Sequence, residues 1–174
     1  TALLNLAPAV AEAFYQKLPL VVVSADRPGA FIGQLDGQTM PQDNVLGCFS
    51  RKSVNIPEPD DDTCRWHNNR LINEALLECV CNGGGPVHIN VPLSEPLFNF
   101  TVPSLPAERV IRKIEAKTDT SLLSETLCQA FLTADKPMIV MGQIKPGRMP
   151  HDVVGTLSRR AVIISEPLAH TSHI

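Results

Sequence analysis

The sequence predicts an α/β fold in which a parallel sheet is flanked by helices, followed by the start of a second α/β domain. Three observations predict it. The short apolar runs PLVVVSA (19–25), PVHINVPL (86–93) and AVIIS (161–165) lack clean apolar/polar alternation, as strands buried on both faces of a parallel sheet do. Stretches of helical period stand between such runs. The two kinds of segment alternate along the chain, which is the order of βαβ units.

Composition agrees with a folded domain. Of 174 residues, 44% are hydrophobic and 19% charged, richer in apolar residues and poorer in charge than chains that stay disordered. The net charge of −3 is spread along the chain, and with one Trp and one Tyr there is neither a basic footprint nor a stacking platform for nucleic acid. No apolar run approaches the roughly 20 residues of a membrane span, so the chain reads as cytoplasmic. The five Cys are odd in number, and Cys79 and Cys81 form C-x-C rather than a zinc spacing with a second pair; reduced thiols and no metal site are expected. The chain opens on Thr1 inside a helical pattern and closes just after an apolar strand, and is expected to be an excised piece of a longer one.

In residues 3–17, Leu3, Leu6, Val10, Ala13 and Phe14 share one helical stripe, and Pro8 within it predicts a kink or a late helix start. The buried strand 19–25 follows. Residues 29–47, rich in Gly, Gln, Asp and Pro, keep no period and form a long loop, which in a compact domain is either functional or disordered. SRKSVNI (50–56) is a further strand. Asp60, Asp61, Asp62 and Thr63 supply the N-cap and first-turn acids of a long helix through about Cys81, with Trp66, Arg70, Asn73, Leu77 and Cys81 on successive turns. NGGG ends that helix before strand 86–93. Residues 99–118 read as an interdomain linker crossing a surface. Helix 121–134, buried strand KPMIVMG, helix PHDVVGTLSRR and buried strand AVIIS then open the second domain, placing domains at 1–98 and 119–174.

In open parallel sheets ligands bind outside the carboxyl ends of the strands. Asp26 and Arg27 stand at such an end, where Pro28 turns the chain outward. The Arg27 fork suits a carboxylate or phosphate, and Asp26 is placed to hold it. Equally, the pair could brace the following loop. GQIKPGR (142–148) has the glycines of a P-loop, but Arg148 and Met149 replace its Lys and hydroxyl residue. His88 shares a strand face with Asn90, and a hydrogen-bonded structural histidine is the default over a general base. These residues alone do not name a reaction.

TALLNLAPAVAEA, PLVVVSADRP, DGQTMPQ with Gln38 eleven positions after Arg27, and GGPVHINVPLSEPLF resemble, in that order and spacing, the pyrimidine-binding domain of thiamine-diphosphate enzymes. ADRP, the downstream Q-x-x-x-Q and EPL narrow the resemblance to the family of SEPHCHC synthases of menaquinone biosynthesis. It covers residues 1 to about 98 well, and residues 118–174 resemble the start of the family's central domain. The resemblance implies a transferase that decarboxylates 2-oxoglutarate on thiamine diphosphate and Mg2+ and adds the succinyl carbanion equivalent to isochorismate, as a homodimer or homotetramer. It implies that Arg27 binds a substrate carboxylate and that Gln38 is both substrate-binding and catalytic. Gly37 stands where the family often has Asn. The family's catalytic glutamate and its magnesium-binding segment are expected upstream of Thr1 and downstream of Ile174, so the chain alone is expected to be inactive. An acetohydroxyacid-synthase-like or 2-oxoacid-decarboxylase-like enzyme is the alternative within the superfamily, and a non-catalytic anion-binding α/β module the alternative outside it.

Overall fold

The structure, a computed structural model, describes residues 2–95, 97, 102–114 and 119–171, and separates into two compact units, 1–113 and 114–174. Of the segment read as linker, 99–101 and 115–118 lie outside the described residues.

Pro8 sets where the first helix begins. Residues Ala2–Leu6 form a 3-10 turn, and α1 (Ala7–Tyr15) starts with Pro8 in its first turn, where its missing N–H costs nothing. Of the expected stripe, Leu3, Val10 and Ala13 are buried, whereas Leu6 is exposed because the 3-10 turn rotates it out of the α-helical phase.

Three strands, β1 (Val21–Asp26), β2 (Lys52–Asn55) and β3 (Val87–Pro92), form an all-parallel sheet in the order β1-β3-β2. The long helix α2 (Asp62–Val80) starts on Asp61, whose carboxylate accepts from the Cys64 N–H at 2.6 Å. It lays Leu71, Ile72, Ala75 and Cys79 on Val54, Ile56, Val87 and Ile89. The opposite sheet face carries Val22 under Leu3, Val10 and Leu46.

Only β3 is covered on both sides. The expectation that strand 19–25 is buried on both faces is corrected: Val21 and Val23 are exposed, because α2 packs over β2 and β3 and leaves the edge strand β1 open on that face. The stripe Trp66, Asn73 and Cys81 of α2 does not enter the core. It holds the extended chain of residues 108–113: the Asn73 amide donates to Arg109 O and accepts from the Ile111 N–H, Trp66 stacks 5.5 Å from the Arg109 guanidinium, and Lys113 donates to Cys81 Sγ.

In the second unit, β4 (Met138–Met141) pairs in parallel with β5 (Val162–Ser165), and α4 (His151–Ser158) closes a small core of Met141, Val154 and Ala169. These strands too were expected to be buried, yet Met138, Val140, Val162 and Ile164 are exposed, since α4 covers one face only; α3 (Ser121–Thr133) buries no residue among those described. All five cysteines are free thiols.

A polar seam runs along the α1-side face of the sheet. The register sets Ser53, His88 and Val22 in one row and Asn55, Asn90 and Ser24 in the next. His88, fully buried, lies between Ser24 Oγ (2.7 Å from Nε2) and Ser53 Oγ (3.2 Å from Nδ1). Ser24 donates to Asn90 Oδ1 at 2.8 Å, and Asn90 Nδ2 donates to Asn55 Oδ1 and to Asp26 Oδ2, each at 2.8 Å. The buried polar side chains Ser24, His88 and Asn90 all have partners, which is what makes their burial tolerable.

Burial pushes the His88 imidazole below its ordinary 6.5, with Asp43 and Asp26 pulling weakly the other way. Below that value the unfolded chain takes up a proton that folded His88 refuses. Stability is therefore complete above 6.5 and falls as pH drops towards the depressed folded value, by at most about 1.4 kcal/mol per pH unit. The melting temperature should be lower at about pH 5.5 than at about pH 7.5, and His88→Gln should flatten that dependence. At the end of α2, Gly84 has φ +89 and a Cβ there would lie 3.1 Å from Lys17 O, while a Cβ at Gly37 meets open space. Gly84→Ala should cost about 1–3 kcal/mol in denaturant unfolding, with Gly37→Ala near neutral.

Candidate functional site

The crevice opens where β1 and β3 end together. Asp26 pairs with Pro92 in register, and the Leu93 N–H reaches back to Asp26 O at 2.9 Å, so both strands run out at the same level. Beyond them lies a cavity of about 350 Å3 lined in part by Asp26, Arg27, Gln38, Gln42, Leu93 and Glu95. An adjoining cavity of about 390 Å3 shares Arg27, Leu93 and Glu95 and adds Phe31, Asp36 and Ser94. The site thus combines one strand end, the 29–47 loop and the turn after β3.

The loop is shaped by short turns and tied back to the sheet. Leu46 is buried in the α1-side core, and Gln42 Nε2 donates to Ala25 O at 3.2 Å and to Asp26 Oδ1 at 2.9 Å. Leu35, Gln38 and Asn44 all have positive φ without being glycine, at 61, 61 and 52°. Gln38 is exposed, and its amide has no hydrogen-bond partner among the described residues. A Cβ at Gly37 would meet open space, so a side chain there would fit.

Asp26 does not hold the Arg27 side chain as expected. Its carboxylate points along the seam face with Ser24, and it accepts from the Arg27 backbone N–H (2.8 Å), Gln42 and Asn90. Strand alternation sends the next side chain the other way. The Arg27 guanidinium instead pairs through Nη1 with Glu95 Oε1 at 2.9 Å, and chiefly through that hydrogen bond Glu95 keeps it more firmly protonated than an ordinary arginine.

The residue before Glu95 is held in place. The neighbouring Ser94 gives both its N–H and its hydroxyl to the two carboxylate oxygens of Glu58, and these bonds, the hydroxyl's foremost, lower the Glu58 pKa from 4.5. Sequence reasoning gave no role to Glu95, Gln42 or Asn90. The motifs Q-x-x-x-Q and EPL do contain Gln42 and Glu95, but only the folded chain shows that both converge on the end of β1.

His88 is sealed inside the seam and does not reach the cavity. GQIKPGR lies in the second unit as a turn with Gly147 at φ +75, ahead of the Pro150 that precedes α4. Among the described residues no three His, Cys, Asp or Glu side chains converge as a metal site, and no helix is long and apolar enough to cross a membrane.

No family model matches the chain. Individual proteins do. It is 54% identical over 144 residues to 2-succinyl-5-enolpyruvyl-6-hydroxy-3-cyclohexene-1-carboxylate synthase of Bacteroides thetaiotaomicron, covering 83% of this chain and 26% of that protein. The proteins of the same name from Phocaeicola vulgatus and Porphyromonas gingivalis are 51% identical over 144 residues and 38% identical over 148, again across 83% and 84% of this chain and 26% of each. The chain therefore spans about a quarter of the length of the curated relatives it matches. Over that quarter, it is similar to the 2-succinyl-5-enolpyruvyl-6-hydroxy-3-cyclohexene-1-carboxylate synthases (SEPHCHC synthases).

Proposed function

We propose that this chain contributes one wall of the substrate site in a thiamine-diphosphate-dependent transferase of menaquinone biosynthesis, which joins the four-carbon remainder of 2-oxoglutarate to isochorismate with loss of CO2. The first unit is the later part of the pyrimidine-binding domain, and the second is the start of the central domain. The observation that carries the reading is that Arg27 and Gln38 line one cavity at the carboxyl ends of β1 and β3.

Each residue has a chemical task in this reading. Arg27 supplies the fork that takes a substrate carboxylate. Gln38 offers both a donor and an acceptor from an amide with no other engagement among the described residues, and so orients a polar group of the reacting molecule. Leu93 and Leu97 supply the apolar side of the cavity.

The residues here do not fit the cofactor's charged end. Three carboxylates, Asp26, Asp36 and Glu95, face one arginine across the two cavities, an environment hostile to a diphosphate, and no metal-binding set is present among the described residues. Thiamine diphosphate and Mg2+ are therefore assigned to other parts of the enzyme, and this wall serves the organic substrates.

The test uses a whole enzyme in which these residues replace the matching stretch of the Bacteroides thetaiotaomicron relative. Arg27→Gln should raise the KM for isochorismate or 2-oxoglutarate about tenfold or more, the effect of leaving a carboxylate without its charged partner. Gln38→Ala should lower kcat more than it raises KM. Unchanged kinetics in both variants would remove this cavity from the reaction, and a preference for pyruvate over 2-oxoglutarate would move the enzyme to the acetohydroxyacid-synthase type.

A further inference from the structure

The cavity that is to receive an anion is itself acidic. Asp26 and Glu95 line it, Asp36 and Glu95 line the cavity that adjoins it, and Arg27 is the one cation among the described residues of both, its Nη1 already bound to Glu95. A bidentate carboxylate takes two nitrogens of the guanidinium, and on the Nη1/Nη2 edge it would share Nη1 with the Glu95 carboxylate, a like charge.

The three acids are not equivalent. Asp26 is locked by three donors, from Arg27 N, Gln42 and Asn90, and belongs to the fold. Asp36 acts on Arg27 only at long range. Glu95 touches Arg27 directly, and its side chain is 71% exposed against 31% for Arg27, so it can swing into water at small cost. Glu58 holds the preceding Ser94 through two bonds, so a rotation of the Glu95 side chain alone is enough to release Arg27.

We propose that Glu95 is a built-in competitor for the anion site: its carboxylate engages Arg27 Nη1, and a ligand carboxylate that takes the Nη1/Nη2 edge competes with it for the same cation. The inference rests on the reading of Arg27 as a carboxylate holder and adds how that site is regulated. The exchange sets a threshold. A monoanion gains at Arg27 about what Glu95 gives up, so the site favours ligands whose remaining groups, a second carboxylate or an apolar body against Leu93, supply additional binding.

The experiment measures succinate binding by calorimetry to the whole chimeric enzyme described above, in its unsubstituted form and as Glu95→Gln, Arg27→Gln and the double variant. Glutamine keeps the shape and a hydrogen-bond acceptor but removes the charge. Glu95→Gln is expected to bind succinate about three- to tenfold more tightly, the factor for removing a like charge near the surface, and the double variant should lose that gain. If Glu95→Gln binds no more tightly while Arg27→Gln abolishes binding, Glu95 is not a competitor but Arg27 still holds carboxylates. If Arg27→Gln leaves binding unchanged, or if no variant binds succinate, both the competition and the anion-holding role of Arg27 are overturned.

Discussion

A carboxylate at the end of a parallel strand has to be satisfied, and the way Asp26 is satisfied organises the rest of the first unit. Its three donors come from three places: the next peptide N–H, the middle of the long loop through Gln42, and the central strand through Asn90. Removing water from a half-buried carboxylate is costly unless such partners are present, so each donor segment is tied to the others. The loop is drawn down onto the strand ends, Asn90 is oriented in register with Ser24 and Asn55, and Arg27 is left facing the crevice. The site geometry is thus a by-product of supplying one acid with donors.

The same economy appears in α2. One face packs apolar side chains on β2 and β3, and a second face, through Asn69, Asn73 and Trp66, holds the chain of residues 108–113. An Asn amide donates and accepts at once, so Asn73 bonds to the strap as a neighbouring strand would, with one carbonyl and one N–H.

How much of this was legible in the sequence follows from the range of the interactions. The parallel sheet, the helix start at Asp61 and the glycine stop after α2 are local signals, and they stand in the structure close to where period and capping predict them. The burial of β1 was misjudged because an unbroken apolar run reports what a strand is suited to cover, and not what this stretch of chain supplies to cover it. Val23 looks like Ile89 in sequence, yet one is exposed and the other packed under α2. Arg27 and Gln38 were singled out from spacing and resemblance. Glu95 could not be paired with Arg27 from sequence, since 68 positions separate them and only the adjacency of β1 and β3 brings them together.

Gln38 has a backbone that few side chains adopt willingly. A φ of 61° costs an ordinary residue about 1 kcal/mol, a cost that glycine escapes and asparagine reduces. The chain has glycine immediately before, at Gly37, and could relax the turn by shifting that freedom one position along. Any glycine at 38 would steady the loop and erase the amide. Variants selected for robustness and variants selected for chemistry should therefore diverge at this position, and the residue found there in a given descendant is a record of which of the two demands prevailed.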